Sequence, residues 1–405
     1  MSDRSRPTLP KHSQLALPLL EALAEEGGAA SPAAVYGRLS DRFSLPKDVL
    51  DLTIPAGGGS RESRFHHRVR WVRQDALRKG YLRAAKRGLW ELTPLGSGKL
   101  RNVRPGLVVT VFETDAGAAL WAQAEDAAAV IEPGSVDLIY TSPPYPLLKP
   151  KAYGNLDSAA WLAWMTELAR LWKPLLGAGS SLVVNLGAVG ERNRPTQDPY
   201  IERFTLRLID ELGFSLVDRL YMRNPQKLPT PRLWAAIRRV RLKGDVEPLL
   251  WFSPDGAPKS DNRRVLKPYA DATLSNRDRA RDAAWAEGSR RRTSGAVVSE
   301  RIYEAGEGAI PGVVIDGAPE GPNSAWRRAC RTAGLEAHPA ISPRAPIETL
   351  IKLTTEPGDL VYDPFAGSLI TARVAEDLDR RWLASERSLA YLEAGRLRFG
   401  DGAAL

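Results

Sequence analysis

Apolar strands alternate with amphipathic helices after residue 106, and this alternation constrains the fold more than any other feature of the sequence. The segment GLVVTVF is typical of a strand, DAGAALWAQAEDAAAVI of a helix, SVDLIY of a second strand and GSSLVVNLGAV of a third. A further helix, DSAAWLAWMTELARLWKPLL, separates the second strand from the third. Strands that alternate with helices predict a parallel, doubly wound α/β sheet.

The alternation stops near Ser253 and resumes near Ile347, where a helix is followed by the strand DLVYD, a helix from Thr371 and the strand RWLASE. The intervening residues 253–335 are irregular in pattern and rich in Arg, Gly and Pro. We therefore predict one α/β domain made of two sequence segments, with a basic region inserted between them; the segments are residues 106–252 and 336–400.

The first hundred residues predict a separate small domain. SQLALPLLEALAEEGG is amphipathic, SPAAVYGRLSDRF has Ser31 as N-cap and Pro32 at its first helical position, and RFHHRVRWVRQDALRKGYL is a long basic helix. RAAKRGLWELT then alternates as two strands around a turn. Three helices and a β-wing predict a winged-helix domain over residues 12–100, preceded by a disordered tail at residues 1–11.

Positive charge is concentrated in two parts of the chain. Residues 1–105 contain 19 Lys and Arg against 10 Asp and Glu, and residues 219–301 contain 19 against 9. The rest of the chain contains 19 against 29. An acidic body with two basic regions favours a polyanionic partner, with solvated surface arginines as the alternative.

Composition argues against several classes of protein. No apolar run reaches the roughly 18 residues of a membrane span, and MSDRSRPTLPKHSQ lacks the apolar core of a secretory signal, so we expect a cytoplasmic protein without a membrane partner. Cys330 is the single cysteine and there are four histidines. A disulfide framework and a thiolate zinc cage are thereby excluded, and we expect no metal.

The segment GDLVYDPFAGSLITARVAEDLDRRWLASE has the order strand, glycine-containing loop, helix and strand. In doubly wound folds the first such loop receives the cofactor, and a carboxylate about 20 residues further on accepts hydrogen bonds from ribose hydroxyls. Asp363 and Glu386 fit that spacing, and Gly367 would let the backbone approach a ligand closely. An ordinary strand–helix turn with a surface glutamate is the alternative.

The segments TSPPY and DPFAGS on one α/β sheet resemble the amino-methyltransferases of DNA, which use S-adenosylmethionine. The resemblance extends to SVDLIYTSPPY, GSSLVVNLG, HPAISP and LIKLTTEPGDLVYDPFAGS, and it covers about residues 107–252 and 336–395. A serine before the two prolines resembles the cytosine-N4 subgroup. The catalytic motif precedes the cofactor motif with a basic stretch between them, which is similar to the β-type order of the family.

The resemblance implies that Ser142, Pro143, Pro144 and Tyr145 form the catalytic loop. An exocyclic amine conjugated to a base ring is a poor nucleophile because its lone pair is delocalised. The Ser142 hydroxyl and the Pro143 carbonyl would accept hydrogen bonds from its two N–H groups, and the prolines would fix the direction of that carbonyl. Tyr145 would stack on a base flipped out of duplex DNA.

The same resemblance implies that Asp363, Phe365, Gly367 and Ser368 line the S-adenosylmethionine pocket, with Phe365 near the adenine and Glu386 on the ribose. Asp115, after the strand VVTVF, is a further candidate for the adenine amino group, with an exposed helix cap as the equal alternative.

The glycine loop departs from the Gly-Ser-Gly-Thr-Thr of the family at Leu369. Since leucine adopts a positive φ only at a cost, we expect the loop to close differently. His338 is interpreted as a packing or hydrogen-bonding residue near the cofactor.

The N-terminal segment resembles the winged-helix domain of Mrr-type restriction endonucleases, on LPLLEAL, RVRWVRQDALRKGYL and KRGLWELTPLG. The resemblance implies contact with DNA, although many winged helices bind proteins. Residues 253–335, with DNRR, SNRDRARD and SRRRTSG, are the expected target-recognition region, because Arg reads guanine edges and binds phosphates. A disordered solvated loop is the alternative.

These features predict a site-specific DNA methyltransferase that acts on cytosine N4, with double-stranded DNA and a cognate restriction endonuclease as partners in a restriction–modification system. An adenine-N6 methyltransferase is the nearest alternative. A winged-helix regulator with an inactive methyltransferase body is an alternative from another class, and Leu369 is the one feature that favours it.

Overall fold

The computed structural model describes residues 9–10, 12–43, 45–55, 61–86, 88–100, 103–146, 156–191, 193–269, 308–321 and 323–400. Backbone packing divides the chain into two compact units. One consists essentially of the described residues up to 103, together with 388–390, and the other contains the rest of the described residues. The predicted tail at residues 1–11 lies outside the described residues except for residues 9 and 10.

The N-terminal unit contains helices packed on a small antiparallel sheet with the strand order β1-β5-β4. Its elements are α1 His12–Glu25, β1 Ala29–Ala30, α2 Pro32–Arg42, α3 Lys47–Leu50, β2 Thr53–Pro55, β3 Arg61–Ser63, α4 Arg64–Arg78, β4 Leu82–Lys86, β5 Leu89–Leu92 and α5 Pro94–Leu100. The Ser31 hydroxyl accepts a hydrogen bond from Ala34 N at 3.3 Å, so the predicted N-cap is present. Apolar residues of α1, α4 and the hairpin, among them Leu19, Val69 and Trp90, form the core.

Two parts of this unit differ from the prediction. The segment LTIPAGGGSRES, whose composition predicts a loop, contains the hairpin β2–β3. The short helices α3 and α5 are additional. Elements of three or four residues carry too few apolar positions for a period to be recognised.

The C-terminal unit is built on a nine-stranded sheet with the order β12-β10-β11-β9-β8-β13-β14-β7-β6. Its elements are β6 Val109–Thr114, β7 Gly117–Trp121, α6 Ala124–Ala128, β8 Val136–Thr141, α7 Ser158–Trp172, β9 Leu176–Asn185, α8 Tyr200–Asp210, β10 Ser215–Arg223, β11 Val246–Ser253, β12 Val314–Asp316, α9 Ala325–Thr332, α10 Arg344–Thr354, β13 Leu360–Asp363, α11 Ile370–Asp377, β14 Arg381–Glu386 and α12 Leu389–Arg396.

The predicted parallel order holds only for the five central strands, because the sheet is mixed. Strands β9, β8, β13, β14 and β7 run parallel to one another. In contrast, β6 pairs antiparallel with β7, and β11 pairs antiparallel with both β9 and β10. The tight turn between β6 and β7 permits only an antiparallel pair, since parallel strands need a long crossover connection.

The predicted helix DAGAALWAQAEDAAAVI is wrong in its first part, which forms β7. Gly117 lies so close to β14 that a Cβ atom there would come within 2.0 Å of the Trp382 carbonyl oxygen. A glycine in a short alanine-rich run therefore marks a close strand contact, and helix and strand cannot be distinguished there by periodicity. Strand β10 was not predicted either. Strand β12 and helix α9 lie within residues 253–335, so this region is not irregular throughout.

Helices cover both faces of the sheet, as predicted for a doubly wound fold. Ile139 of β8 packs with residues of α7 and α8 such as Trp161 and Phe204. Its neighbour Leu138 packs on the opposite face with residues of α10 and α11 such as Leu350. Each strand of the centre is thus buried on both sides.

The connections of the sheet reverse direction between β8 and β13. The chain leaves β8 towards β9 on one side and leaves β13 towards β14 on the other. In open α/β sheets, ligands bind in the crevice beyond the carboxyl ends of the strands at such a switch point. Both sequence motifs follow these two strands, so the topology places them at this crevice.

Candidate active site

The carboxyl ends of β8 and β13 are joined directly by a side-chain hydrogen bond. The Thr141 hydroxyl donates to Asp363 Oδ1 at 2.9 Å, and both residues are buried. The loops that carry TSPPY and DPFAGS therefore start side by side.

The first of these loops is held from outside by α7. Trp161 Nε1 donates a hydrogen bond to the Pro144 carbonyl at 2.6 Å. No group in the described part of the chain donates to the Pro143 carbonyl. Of the two proline carbonyls, the one predicted to accept from a substrate amine is therefore the one that receives no hydrogen bond from the described residues.

Tyr145 lies against a glycine of the strand end next to β8. A Cβ atom on Gly187 would lie 2.5 Å from Tyr145 Cε2, so the tyrosine ring packs on bare backbone. The Tyr200 hydroxyl donates to the Gly187 carbonyl, and the Tyr200 and Trp161 rings meet edge to face with centroids 4.9 Å apart. The half-buried Tyr145 ring is thus placed by an aromatic cluster and by the lack of a side chain at Gly187.

Asn185, the last residue of β9, is a site residue that the sequence analysis missed. The Ser142 hydroxyl donates to Asn185 Oδ1 at 3.3 Å, and Asn185 Nδ2 donates to the Pro248 carbonyl at 3.2 Å. Because a carbonyl can only accept, this second bond fixes which way the amide points. The Ser142 proton is thereby directed at Asn185, and the Ser142 oxygen can accept a hydrogen bond from a ligand.

The second loop brings its glycine to the predicted carboxylate. Gly367 has a φ of 49°, in the left-handed region, and its N–H donates to Glu386 Oε2 at 3.1 Å. A Cβ atom at Gly367 would come within 3.2 Å of the His338 ring. His338 also meets the Tyr391 ring edge to face, with centroids 4.5 Å apart, which agrees with its interpretation as a packing residue beside the glycine loop.

Leu369 adopts the left-handed conformation in spite of its cost to a leucine. Its φ is 58° and its ψ is 25°, at the start of α11. The left-handed conformation costs about 1–2 kcal/mol, but the side chain is completely buried and packs where a Cβ on Gly395 would stand 2.6 Å away. Burial of a leucine contributes about 2 kcal/mol, which offsets the strain.

Asp363 is a buried acid that organises both loops. Burial raises the pKa of its carboxyl to about 6, against the lowering effect of hydrogen bonds from the Thr371 and Thr141 hydroxyls and the Phe365 N–H. The Phe365 N–H donates to Oδ1 at 3.1 Å. Through these bonds Asp363 holds the starts of both loops together, and its place in the wall of the cofactor pocket stays a prediction.

Phe365 and Ser368, the other two predicted cofactor residues, both belong to the second loop. The Phe365 ring meets the rings of Trp164 and Trp172 edge to face and is partly exposed. Ser368 is buried, and its carbonyl accepts a hydrogen bond from Arg398 Nε at 2.7 Å.

The structure does not bring Asp115 to this crevice. Asp115 is exposed in the turn that precedes β7. Strand β7 runs parallel to β14, with Gly117 opposite Trp382 and Trp121 opposite Glu386. Glu386 is therefore at the carboxyl edge of the sheet, and Asp115 is at the amino edge. We remove Asp115 from the candidate cofactor residues.

The second loop fits a nucleoside-containing cofactor on the chemistry of its groups. It combines a glycine in the left-handed region that donates its N–H to Glu386, a partly exposed aromatic ring and a carboxylate at the end of the next strand, as ribose recognition requires. Within the described ranges no cluster of three potential ligands could hold a metal ion. None of the helices that the structure describes is long and apolar enough to cross a membrane.

Two protein-family models and several known methyltransferases are similar to this chain. A family model described as DNA methylase matches residues 136–396, and a model of the Mrr N-terminal domain matches residues 12–102. The Type II methyltransferase M.PvuII of Proteus hauseri is 34% identical over 66% of this chain and 79% of that protein. The Type II methyltransferase M.BglII of Bacillus subtilis is 26% identical over 65% of this chain and 63% of that protein.

A solved structure is similar as well. The PvuII DNA methyltransferase, described as cytosine-N4-specific, superimposes with a TM-score of 0.57 at 30% identity, over 71% of this chain and 88% of that chain. Since the methylase model includes both strand ends of the crevice and covers most of the C-terminal unit, this chain belongs to the DNA methylase family.

Proposed function

We propose that this protein is a site-specific DNA methyltransferase that transfers a methyl group from S-adenosylmethionine to the N4 amine of cytosine in duplex DNA. The observation that supports this most directly is the Ser142 hydroxyl, which is oriented by Asn185 so that its oxygen can accept. The similarity to a cytosine-N4-specific enzyme supports the same base and atom.

Two acceptors prepare the amine. The Ser142 oxygen and the Pro143 carbonyl each take one N–H of the target, which draws the nitrogen towards tetrahedral geometry and frees its lone pair. The pyrrolidine rings fix the backbone around this carbonyl before the substrate arrives, so little reorganisation is needed during the reaction. No strong base is required, because the proton becomes acidic once the nitrogen is alkylated.

The glycine loop holds the cofactor, whose sulfonium supplies an activated methyl group. The Glu386 carboxylate accepts hydrogen bonds from the ribose hydroxyls, and the backbone at Gly367 and Ser368 contacts the ligand closely. The partly exposed Phe365 ring packs near the adenine. Asp363 lines the pocket and keeps this loop beside the catalytic loop through its bond with Thr141.

Tyr145 receives the target base after it leaves the duplex. Stacking on an aromatic ring contributes about 1–3 kcal/mol per base, which offsets part of the unpairing cost of a few kcal/mol. The packing of Tyr145 on Gly187 supports a fixed platform for this purpose.

The two basic parts of the chain hold the DNA. The N-terminal unit, as a winged-helix domain, binds the duplex backbone, and residues 253–335 read the target sequence; residues 270–307 of this region lie outside the described part of the chain. A cytoplasmic restriction–modification system, with a cognate endonuclease that cuts the unmethylated site, is the setting that suits a Type II relative.

The base and atom are tested by nucleoside analysis. Purified protein is incubated with bacterial genomic DNA and S-adenosylmethionine, and the digested DNA is separated by chromatography and mass spectrometry. We expect N4-methyl-2′-deoxycytidine. N6-methyl-2′-deoxyadenosine as the only new product would overturn the choice of cytosine and favour the adenine-N6 alternative, whereas new 5-methyl-2′-deoxycytidine would overturn the mechanism. A protein that transfers no methyl group would favour the inactive regulator.

The role of the N-terminal unit is tested by deleting residues 1–103. The plot of log affinity against log salt should become less steep by about 0.9 for each phosphate that the deleted unit neutralises in the full chain, while the methylated sequence stays the same. A truncated protein with an unchanged slope and a different methylated sequence would assign sequence reading to this unit.

A further inference from the structure

The segment between β10 and β11, residues 224–245, forms an arm at the same edge of the sheet as the active site. Strand β11 pairs antiparallel with β9, and Leu249 stands opposite Asn185 at the carboxyl end of β9. The residues before Leu249 therefore extend past this strand end. Since Asn185 contacts both Ser142 and the Pro248 carbonyl, the arm begins beside the catalytic loop.

The arm is folded on itself. At its base, Asn224 N donates to the Asp245 carbonyl at 2.8 Å, and Gly244 N donates to the Thr230 carbonyl at 2.8 Å. Its outer part contains a turn of π-helix at Leu233–Ile237. These internal hydrogen bonds give the arm a defined shape, which a partner can complement.

The arm carries a concentrated positive charge. It contains one acidic residue, Asp245, and six basic residues, Lys227, Arg232, Arg238, Arg239, Arg241 and Lys243. Lys227 is paired with Glu247, and Lys243 lies near Asp245. The side chains of the four arginines make no hydrogen bond or ion pair to any residue that the structure describes. Their charge is therefore available to an anionic partner.

Large apolar side chains on the arm are also exposed. Leu242 is 91% exposed and Leu228 is 79% exposed. Arg241 and Lys243 flank Leu242, so apolar and cationic groups alternate along this irregular part of the arm. Proteins that open or bend a duplex use this combination, with cations on phosphates and apolar side chains against sugars and unstacked bases.

We propose that the arm binds duplex DNA beside the active site, with Arg238, Arg239 and Arg241 on phosphates and Leu242 against the sugars or bases between them. This contact is separate from the predicted recognition region at 253–335 and from the N-terminal unit. The proposal rests on the proposed function, because it assigns to the arm part of the duplex that a DNA methyltransferase must hold.

The test compares two triple variants of the full chain with equal loss of charge. The first is Arg238→Gln, Arg239→Gln, Arg241→Gln in the arm. The control is Arg170→Gln, Arg207→Gln, Arg381→Gln, in α7, α8 and β14. Binding to a fluorescein-labelled random-sequence duplex is measured over a series of salt concentrations. The arm variant should lose about 2.7 from the slope of log affinity against log salt, at about 0.9 per phosphate, and the control should keep the slope of the wild type.

A single variant, Leu242→Ser, separates the apolar contribution. It should weaken binding by the same factor at every salt concentration and leave the slope unchanged, because no ion is released by an apolar contact. An arm triple variant with the wild-type slope would overturn the proposal. A third outcome would also overturn the proposal. In it, the triple variant keeps the wild-type slope, and both the triple variant and Leu242→Ser change the sedimentation of the protein without DNA. The arm would then be an interface between protein molecules.

The methyl-transfer assay with labelled S-adenosylmethionine distinguishes the two levels of inference. Wild-type protein that methylates DNA, together with an arm variant of unchanged slope, contradicts the role of the arm alone. Wild-type protein that transfers no methyl group, while its arm variant has the expected shallower slope, contradicts the proposed function and supports the arm as a DNA contact.

Discussion

The loops after β8 and β13 leave adjacent strands at one edge of the sheet, yet they are held in opposite ways. The catalytic loop is fixed by two proline rings and by a hydrogen bond from Trp161 on α7. The glycine loop is fixed by its own backbone, with left-handed conformations at Gly367 and Leu369. Stiffness is imposed on the first loop by ring closure and on the second by the burial of Leu369.

The difference follows from what each loop presents to a ligand. A hydroxyl and a carbonyl that accept hydrogen bonds from one amine must point in fixed directions. The proline rings and the hydrogen bond from Trp161 fix the backbone that carries them. A loop that must let backbone approach a nucleoside needs missing side chains. Damage to the first loop should therefore lower turnover, and damage to the second should lower cofactor affinity.

The largest effect is expected for Ser142→Ala. The target amine then loses one of its two acceptors in the transition state, and loss of one comparable hydrogen bond at an oxyanion hole costs about 10²–10³-fold in kcat. The affinity for S-adenosylmethionine should stay at the wild-type value, because Ser142 faces the base. Single-turnover methylation and calorimetry measure the two quantities, with Ser135→Ala as control. Equal losses in both would contradict a division of labour between the loops.

The second largest effect concerns the acid that joins the loops. Between the ordinary carboxyl pKa of 3.8 and the value of about 6 in the folded protein, the folded state binds a proton that the unfolded state releases. Protonation therefore favours folding, and this contribution is lost as the pH rises through about 6. Asp363→Asn removes the effect.

The stability of Asp363→Asn relative to wild type should accordingly rise by about 3 kcal/mol between pH 3 and 7, at 1.36 kcal/mol per pKa unit. Urea unfolding of both proteins over this pH range measures the difference and cancels the titration of other groups. A difference that does not change with pH would show that Asp363 is ionised in the same range in both states.

The third effect is on the cofactor side of the comparison. Glu386→Ala removes hydrogen bonds from a charged acceptor, each contributing about 1.5–3 kcal/mol, so the affinity for S-adenosylmethionine should fall about 10- to 150-fold. Calorimetry of the free protein measures it, and Glu113→Ala, an exposed acid on β6, is the charge-matched control. Full cofactor affinity in folded Glu386→Ala protein would remove this residue from the site.

The sequence predicted the centre of the fold because that centre is locally encoded. The buried strands at Ile139 and Val361 are continuous apolar runs, and the helices between them have clear periods. The edges were harder to predict. Gly117 and its neighbours read as helix, since the pairing of β7 with β14 depends on residues far away in sequence and leaves no local period. Strand β10 pairs with β12, which follows it only after a long insertion, so this pairing also leaves no local pattern in the sequence.

The candidate site was predicted to a similar extent. Motif residues such as Ser142 and Glu386 are recognisable because their chemistry is tied to a strand end. Asn185 was missed, although a polar residue that ends the buried strand SSLVVN was a usable signal. Asp115 follows a strand too, but the direction of that strand and its turn could not be read from sequence, and it lies at the opposite edge.

The smallest effect is expected at Asn185, which touches the reaction only through Ser142. Asn185→Ala leaves the Ser142 hydroxyl free to rotate and to offer its proton to the target amine. Turnover should therefore fall by about tenfold, the equivalent of one ordinary hydrogen bond of about 1 kcal/mol or slightly more.

Asn185→Asp is the matched variant. Its carboxylate still accepts from Ser142, but it cannot donate to the Pro248 carbonyl, and two acceptors then face each other. If Asn185 acts by orienting the hydroxyl, Asn185→Asp should keep more turnover at a pH where its carboxylate is protonated and can donate to Pro248 than at higher pH, whereas Asn185→Ala should lack this additional pH dependence. Single-turnover rates as a function of pH measure this. Two variants with the same pH profile would reduce Asn185 to a packing residue, and the catalytic loop would then be positioned by its prolines and Trp161 alone.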